Sequence, residues 1–125
     1  MDKSNKRILI IDDEKMNILF LANILKPEYE IIVAKNGDSG IAAAEKHIPD
    51  LILLDVIMPE MSGFEVLAKL KESDVTKNIP VIFITGLAGI AEDKEKNQSL
   101  GVVDFISKPF DKSSVKEKID MIFKN

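Results

Sequence analysis

The sequence predicts an α/β protein, a doubly wound five-stranded parallel sheet with helices on both faces. Three observations lead there. Five short apolar, β-branched runs recur along the 125 residues. The runs are continuous rather than alternating, as strands covered on both faces require. Stretches with helical spacing of apolar residues separate them, and such strand-helix alternation implies parallel pairing through right-handed crossovers.

The first strand is Arg7 to Ile11, and Ile18, Leu21, Ala22 and Leu25 repeat behind it at i, i+3, i+4, i+7, marking an amphipathic helix that stops before Pro27. Ile31 to Ala34 form the second strand. Asn36-Gly37-Asp38 then turns into a second helix with the weaker stripe Ile41, Ala44 and Ile48, and Pro49 follows it. The third strand is Leu51 to Leu54, and Ser62-Gly63 opens a helix carrying Phe64, Leu67 and Ala68 on one side. After the fourth strand, Val81 to Ile84, the stretch Ala91 to Ser99 reads AEDKEKNQS. That is too polar to bury a wide face, so a fourth helix there is held mainly by Ile90, Ala91 and Leu100 and closed by Gly101. Such a poorly anchored element is cheap to displace. The fifth strand is Asp104 to Ile106, and Val115, Ile119 and Ile122 mark the last helix.

Composition bounds the function. With 46% hydrophobic and 30% charged residues the chain builds one core, and residues 1–125 read as a single domain with its core at about 7–123. A net charge of −4 leaves no basic footprint for a phosphate backbone, so no direct nucleic-acid partner is expected. The absence of cysteine excludes disulfides and thiolate metal sites. MDKSNKR leads straight into the first strand, and no stretch approaches the ~18–20 apolar residues of a membrane span. A cytoplasmic protein without a membrane partner is the expectation.

The chemistry gathers at strand ends. Asp12-Asp13, Asp55, Thr85 and Lys108 stand at or just after the ends of the first, third, fourth and fifth strands. Parallel strands share their carboxyl edge, and ligands of open α/β sheets bind outside it. Three acids there repel one another unless a cation intervenes, and a hard divalent ion such as Mg²⁺, with oxygen ligands, suits them. No His/Cys cluster offers a softer metal a home. His47, the only histidine, lies near the end of the second helix, where the helix dipole favours a surface histidine. Met16, Met58, Met61 and Met121 form no single stripe and are expected to fill gaps, and Asn97-Gln98-Ser99 is a chance glycosylation match.

IIDDEKMN, LILLDVIMPEMSGFEVL, VIFITG and DFISKPF resemble the four signature segments of the receiver domain of bacterial two-component response regulators, in the family's order and spacing, over Arg7 to about Phe123. The resemblance implies a (βα)5 flavodoxin-like three-layer sandwich with strand order 2-1-3-4-5. It implies that Asp55 is the phosphoacceptor, taking a phosphoryl group from a phosphohistidine of a sensor histidine kinase or phosphotransfer protein, or from a small acyl phosphate. Asp13 corresponds to a direct Mg²⁺ ligand and Asp12 to one acting through water, with Asp55 and the backbone carbonyl of Ile57 completing the protein's share; Mn²⁺ is expected to substitute. Lys108 matches the lysine that contacts the phosphoryl group, Thr85 the switch hydroxyl, and Pro109 the proline after a cis Lys-Pro bond.

Phosphorylation is then expected to draw Thr85 inward and let the Phe105 ring follow. That movement would bias the face of the fourth helix, fifth strand and fifth helix, a candidate surface for a phosphorylation-dependent dimer. Phe105 stands where many relatives carry tyrosine, and Gly86 where alanine is common. Ile57 and Leu87 are apolar where the family tunes water access, so slow self-dephosphorylation is expected. The implied protein is a signalling switch acting on a downstream effector or fused output domain, not an enzyme for external substrates. The signature segments look more like receivers linked to cyclase, phosphodiesterase or hybrid-kinase outputs than like the DNA-binding class.

Three other readings compete. A Mg²⁺-dependent phosphatase with an aspartyl-phosphate intermediate wants a second acid two residues after the nucleophile, where Ile57 stands. A flavin-type cofactor binder of the same fold wants a phosphate-friendly first loop, where DDEKMN repels phosphate in the absence of a metal. A degenerate receiver serving only for docking is at odds with the complete acid, threonine and lysine set.

Overall fold

Strands β1 (Arg7–Ile11), β2 (Glu30–Ala34), β3 (Leu51–Asp55), β4 (Val81–Thr85) and β5 (Asp104–Ser107) pair in parallel in the order β2-β1-β3-β4-β5. Helices α1 (Lys15–Leu25), α2 (Gly37–His47), α3 (Gly63–Glu72) and α4 (Lys112–Phe123) flank the sheet in the computed structural model, which describes residues 5–86, 101–108 and 110–123. Class and strand order agree with the expectation. The helix expected at Ala91 to Ser99, Leu87 and the Lys-Pro bond at Pro109 lie outside the described residues, so α4 is the fifth helix of the sequence reading.

Alternation along the strands divides the core into two layers, one on each face of the sheet. Leu9, Ile11, Ile52, Leu54, Val81 and Phe83 face Ala44 of α2 and Val66, Leu67 and Leu70 of α3. Ile8, Ile10, Leu51, Leu53, Ile82, Ile84 and Ile106 face Ile18, Leu21, Ile24 and Leu25 of α1 and Val115 and Ile119 of α4. Every residue of β3 and β4 is buried, which is why their sequences read as unbroken apolar runs. At about 1.5–3 kcal/mol for each fully buried aliphatic side chain, these two layers dominate the favourable side of folding.

Three helix stripes differ from expectation; on α3 Ala68 is exposed, and Val66 and Leu70 are buried with Leu67 in its place. On α1 the buried set includes Ile24, while Ala22 is only half-buried, because the larger side chain three residues after Leu21 draws the apolar stripe towards itself. On α2 the buried residues are Gly37, Gly40 and Ala44, and Ile48 is not among them. A Cβ on Gly40 would come within 2.6 Å of the Ile11 side chain, so small residues, not a large apolar one, let α2 settle on the sheet. Ile48 instead caps the helix in the left-handed region (φ 43) with 55% exposure. Met58 is buried and Met61 packs against the core, but Met16 and Met121, on the outer sides of α1 and α4, are exposed rather than gap-filling.

Side chains secure the helix ends. Asn36 accepts the Ser39 N–H at 2.8 Å and Ser62 accepts the Glu65 N–H at 3.3 Å, satisfying otherwise unpaired N-terminal donors. The buried Tyr29 donates its hydroxyl to Asp120 at 2.8 Å and packs its ring 5.4 Å from Phe123, fastening α4 to the loop before β2. His47 ends α2 half-buried, with its backbone carbonyl accepting from Arg7 Nη1 at 3.4 Å. No helix among the described residues is long and apolar enough to cross a membrane.

Candidate functional site

Register brings the chemical residues to one edge. Ile11 pairs with Leu54, Asp55 with Ile84 and Thr85 with Ser107, so Asp12, Asp55, Thr85 and Lys108 all emerge at the carboxyl ends of neighbouring strands. By alternation Asp12, Asp55 and Lys108 belong to the side of Ile10, Leu53 and Ile106, above α1 and α4. Thr85 shares the other side with Phe83 and Phe105.

Asp12 is 0% and Asp55 2% exposed, whereas Asp13 stands at the surface. One carboxylate oxygen from each of the three lies within 4.8 Å of the others. Asp12 Oδ1 accepts the Glu14 N–H at 2.9 Å, shaping the turn into α1. Lys108 Nζ donates to Asp55 Oδ1 at 3.2 Å and reaches Glu14 Oε1 at 3.4 Å. The second oxygens, Asp12 Oδ2 and Asp55 Oδ2, are buried with no hydrogen-bond partner among the described residues. Buried carboxylate oxygens that lack donors are costly, and a hard divalent cation with oxygen preference fits them.

The electrostatics say the same. Burial, with the Asp12 charge second, pushes the Asp55 carboxyl up to about 7, and Lys108 offsets only part of this. Burial also raises Asp12 against the hydrogen bond from Glu14 and the charge of Lys108. Burial works against the Lys108 ammonium, yet the carboxylates of Asp55 and Asp12 outweigh it and hold the lysine above its ordinary value. Without a cation Asp55 is therefore poised to keep its proton up to near neutrality.

The remaining expected residues fall around this centre. Thr85 is buried, and its backbone carbonyl accepts the Lys108 N–H at 2.8 Å. Phe105 is half-buried against the α2/α3 core, across the strand pair from Phe83. The Ile57 side chain is 59% exposed beside the site. Among the described residues a Cβ on Gly86 would meet only Lys108 Cβ at 3.9 Å, which leaves room for alanine beside them.

Two residues of the site escaped the sequence reading. Glu14 shares Lys108 with Asp55, and the signal was a third consecutive acid after the first strand. Gly63 donates its N–H to the Val56 carbonyl at 2.8 Å, and a Cβ on it would overlap the Asp55 carbonyl oxygen and sit 2.8 Å from Val56 Cα. A glycine at the first position of a helix, where most residues are tolerated, was the available clue.

Comparison with known proteins agrees with this geometry. A family model described as the response regulator receiver domain matches residues 8–120. The chain belongs to this family. Receiver domains are signalling switches that work with histidine kinases and output domains and generally bind Mg²⁺ in an acidic pocket.

The receiver is 43% identical over 106 residues to the response regulator PleD of Caulobacter vibrioides, covering 84% of this chain and 23% of that protein. It is 38% identical over 124 residues to a probable cyclic di-GMP phosphodiesterase of Vibrio cholerae, covering 99% of this chain and 28% of that protein. The chain thus spans about a quarter of these two relatives, but 85% of the polar-differentiation response regulator DivK of Brucella anthropi, to which it is 37% identical over 83% of its own length. Among solved structures, chemotaxis protein CheY4 of Vibrio cholerae superposes with a TM-score of 0.85 at 25% identity, covering 94% of this chain and 98% of that one. The receiver domain of sensor histidine kinase PA1611 from Pseudomonas aeruginosa, with magnesium coordinated in its active site cleft, shares the fold at a TM-score of 0.84 and 21% identity over 96% of this chain and 98% of that one.

Proposed function

We propose that residues 1–125 form one receiver domain in which Asp55 accepts a phosphoryl group from a phosphohistidine of a partner kinase or phosphotransfer protein. An Asp55 carboxylate oxygen forms the new bond to phosphorus as the phosphorus–nitrogen bond breaks, and the released imidazole nitrogen takes a proton from water. With an acyl phosphate the leaving group is the acyl carboxylate. Phosphoryl transfer asks for positioning and charge neutralisation more than covalent help. The observation that carries this reading is the Lys108 ammonium 3.2 Å from the buried Asp55 carboxylate, beside two carboxylate oxygens without donors among the described residues.

Asp12, Asp13, Asp55 and the backbone carbonyl of Ile57 would hold Mg²⁺, or Mn²⁺ with similar oxygen preference, which when bound screens the acids and neutralises phosphoryl charge. Lys108 supplies the protein's own positive charge to the phosphoryl oxygens. Ile57 hinders water at the acyl phosphate, giving slow self-dephosphorylation and no turnover of external esters.

The donor docks beside α1. Met16, Leu19 and Phe20 are exposed there, and a cleft of about 540 Å³ runs between Met16, Phe20, Phe110 and Lys108, contiguous with the phosphoacceptor. The signal leaves through Thr85 and Phe105, which share one side of adjacent strands, with Phe105 one step back from Thr85. Their movement controls a fused output domain or a separate effector, or a dimer through β5 and α4; the net charge of −4 gives nucleic acid no grip on this domain. The similarity to a probable phosphodiesterase about three and a half times its length and to the shorter DivK supports both arrangements. We expect it to work in the cytoplasm.

Fluoroberyllate, a phosphoryl mimic, tests the reading. Saturable, Mg²⁺-dependent binding followed by NMR is expected for the native chain and absent in Asp55→Asn. Equal binding by both would overturn it.

A further inference from the structure

Phe105 is gripped from the surface by a residue that the phosphoryl chemistry does not use. Lys118 Nζ, on α4, lies 5.4 Å from the centroid of the Phe105 ring. The same ammonium donates to Asp104 Oδ1 at 3.2 Å, and that oxygen also accepts the Phe105 N–H at 2.7 Å. The residue preceding the ring thus fixes the cation that sits over the ring. Lys118 and Asp104 side chains are 33% and 36% exposed, and the ring is half-buried, so the group is partly shielded from water. Phe105 and Lys118 also share a cleft of about 430 Å³ with Phe110 and Ser114, so the cation and the ring edge form one continuous surface.

We propose that Lys118 is a latch, a positioning residue that holds Phe105 in its resting orientation and thereby sets how readily the phosphorylated conformation forms. The proposal rests on the reading that Phe105 moves when Asp55 is modified. Phenylalanine has no hydroxyl to anchor it at the surface, so among the described residues packing against the α2/α3 core and attraction to the ammonium favour the resting position. An exposed ion pair between Lys118 and Asp104 alone is worth very little, but a cation over an aromatic face weights the equilibrium by a measurable factor. Any ligand that favours the moved ring must overcome that weight, and its apparent affinity falls by the same factor.

The test compares the native chain with Lys118→Met, which keeps an unbranched apolar side chain without the charge, and Lys118→Arg, which keeps a cation able to stack. Two readouts are taken. In the free protein, NMR of ring-labelled phenylalanine follows the Phe105 signal, identified by its loss in Phe105→Leu. In the presence of Mg²⁺, fluoroberyllate titration gives a midpoint.

The latch predicts that Lys118→Met shifts the Phe105 signal and lowers the midpoint about two- to fivefold, the range expected of one exposed cation–π contact. Lys118→Arg leaves both near native values, and in a Phe105→Leu background Lys118→Met has no effect on the midpoint. An unmoved Phe105 signal in Lys118→Met overturns the latch, as does an equal midpoint change in the Phe105→Leu background. Failure of the native chain to bind fluoroberyllate would instead sink the phosphoacceptor reading, while the ring signal of the free protein still decides whether Lys118 holds Phe105.

Discussion

The Lys108 ammonium stands 3.2 Å from the Asp55 carboxylate and 3.4 Å from that of Glu14, so a residue on β3 and one before α1 share a cation supplied by the end of β5. In the proposed reaction that cation would make the buried acid usable as a phosphoryl acceptor by meeting the charge that arrives. Replacing it with methionine removes a preorganised positive donor while keeping an apolar stem of similar length. Lys108→Met is expected to slow phosphoryl uptake from acetyl phosphate by at least about a hundredfold, as loss of one oxyanion donor does elsewhere. A rate close to native would remove Lys108 from the chemistry.

Acid–base behaviour gives a second prediction. Burial and Asp12 raise the Asp55 carboxyl from 3.8 to about 7, so in the absence of divalent cations the folded state holds a proton that the unfolded chain releases. Stability from this group is therefore complete at acidic pH below the unfolded value and is lost as pH climbs through the interval to about 7. Asp55→Asn, lacking the titration, should gain stability relative to the native chain over that same interval, and added Mg²⁺ should close the gap at alkaline pH. Thermal melts in chelator across the range check this; a gap that stays constant with pH would refute the assigned shift.

Gly63 answers a different question, whether the Asp55 backbone is held by close packing. Alanine is intrinsically the better helix former by about 1 kcal/mol, but its methyl would press on the Asp55 carbonyl and Val56 Cα. Gly63→Ala is expected to destabilise by about 1–3 kcal/mol, the usual range for overpacking, and to weaken Mg²⁺ binding as well. Urea denaturation and a metal titration measure both, and a more stable variant would show the contact to be slack.

Ile48 offers the opposite sign. It is a β-branched residue at φ 43 with more than half its surface in solvent, so it bears a left-handed conformation while burying little. Ile48→Asn should stabilise the fold by about 1 kcal/mol and leave phosphorylation untouched. A lower denaturation midpoint would mean that the apolar contacts of Ile48 outweigh its backbone strain.

The sheet was legible because β3 and β4 are buried on both faces and leave no polar interruption in their sequences. The site was legible for the same reason, since acids and a lysine directly after such runs have to share an edge. What the linear pattern concealed were contacts made by residues whose type suggests nothing chemical. Gly63 passes for a helix opener until the Asp55 carbonyl is seen against it, and Glu14 for a helix-start acid until Lys108 reaches it from β5. Ile48 read as core because its spacing is helical, yet the three small residues of α2 already bring that helix onto the sheet. Lys118 sits fourteen residues from Asp104 across a mostly polar stretch, and only the packing of α4 beside β5 discloses the ring next to it.

The most direct test of the central claim is the intact mass of the protein after incubation with acetyl phosphate and Mg²⁺. The native chain should gain a single phosphoryl group, and neither Asp55→Asn nor the native chain in chelator should gain it. An unchanged native mass, or the same gain in Asp55→Asn, would contradict Asp55 as the phosphoacceptor.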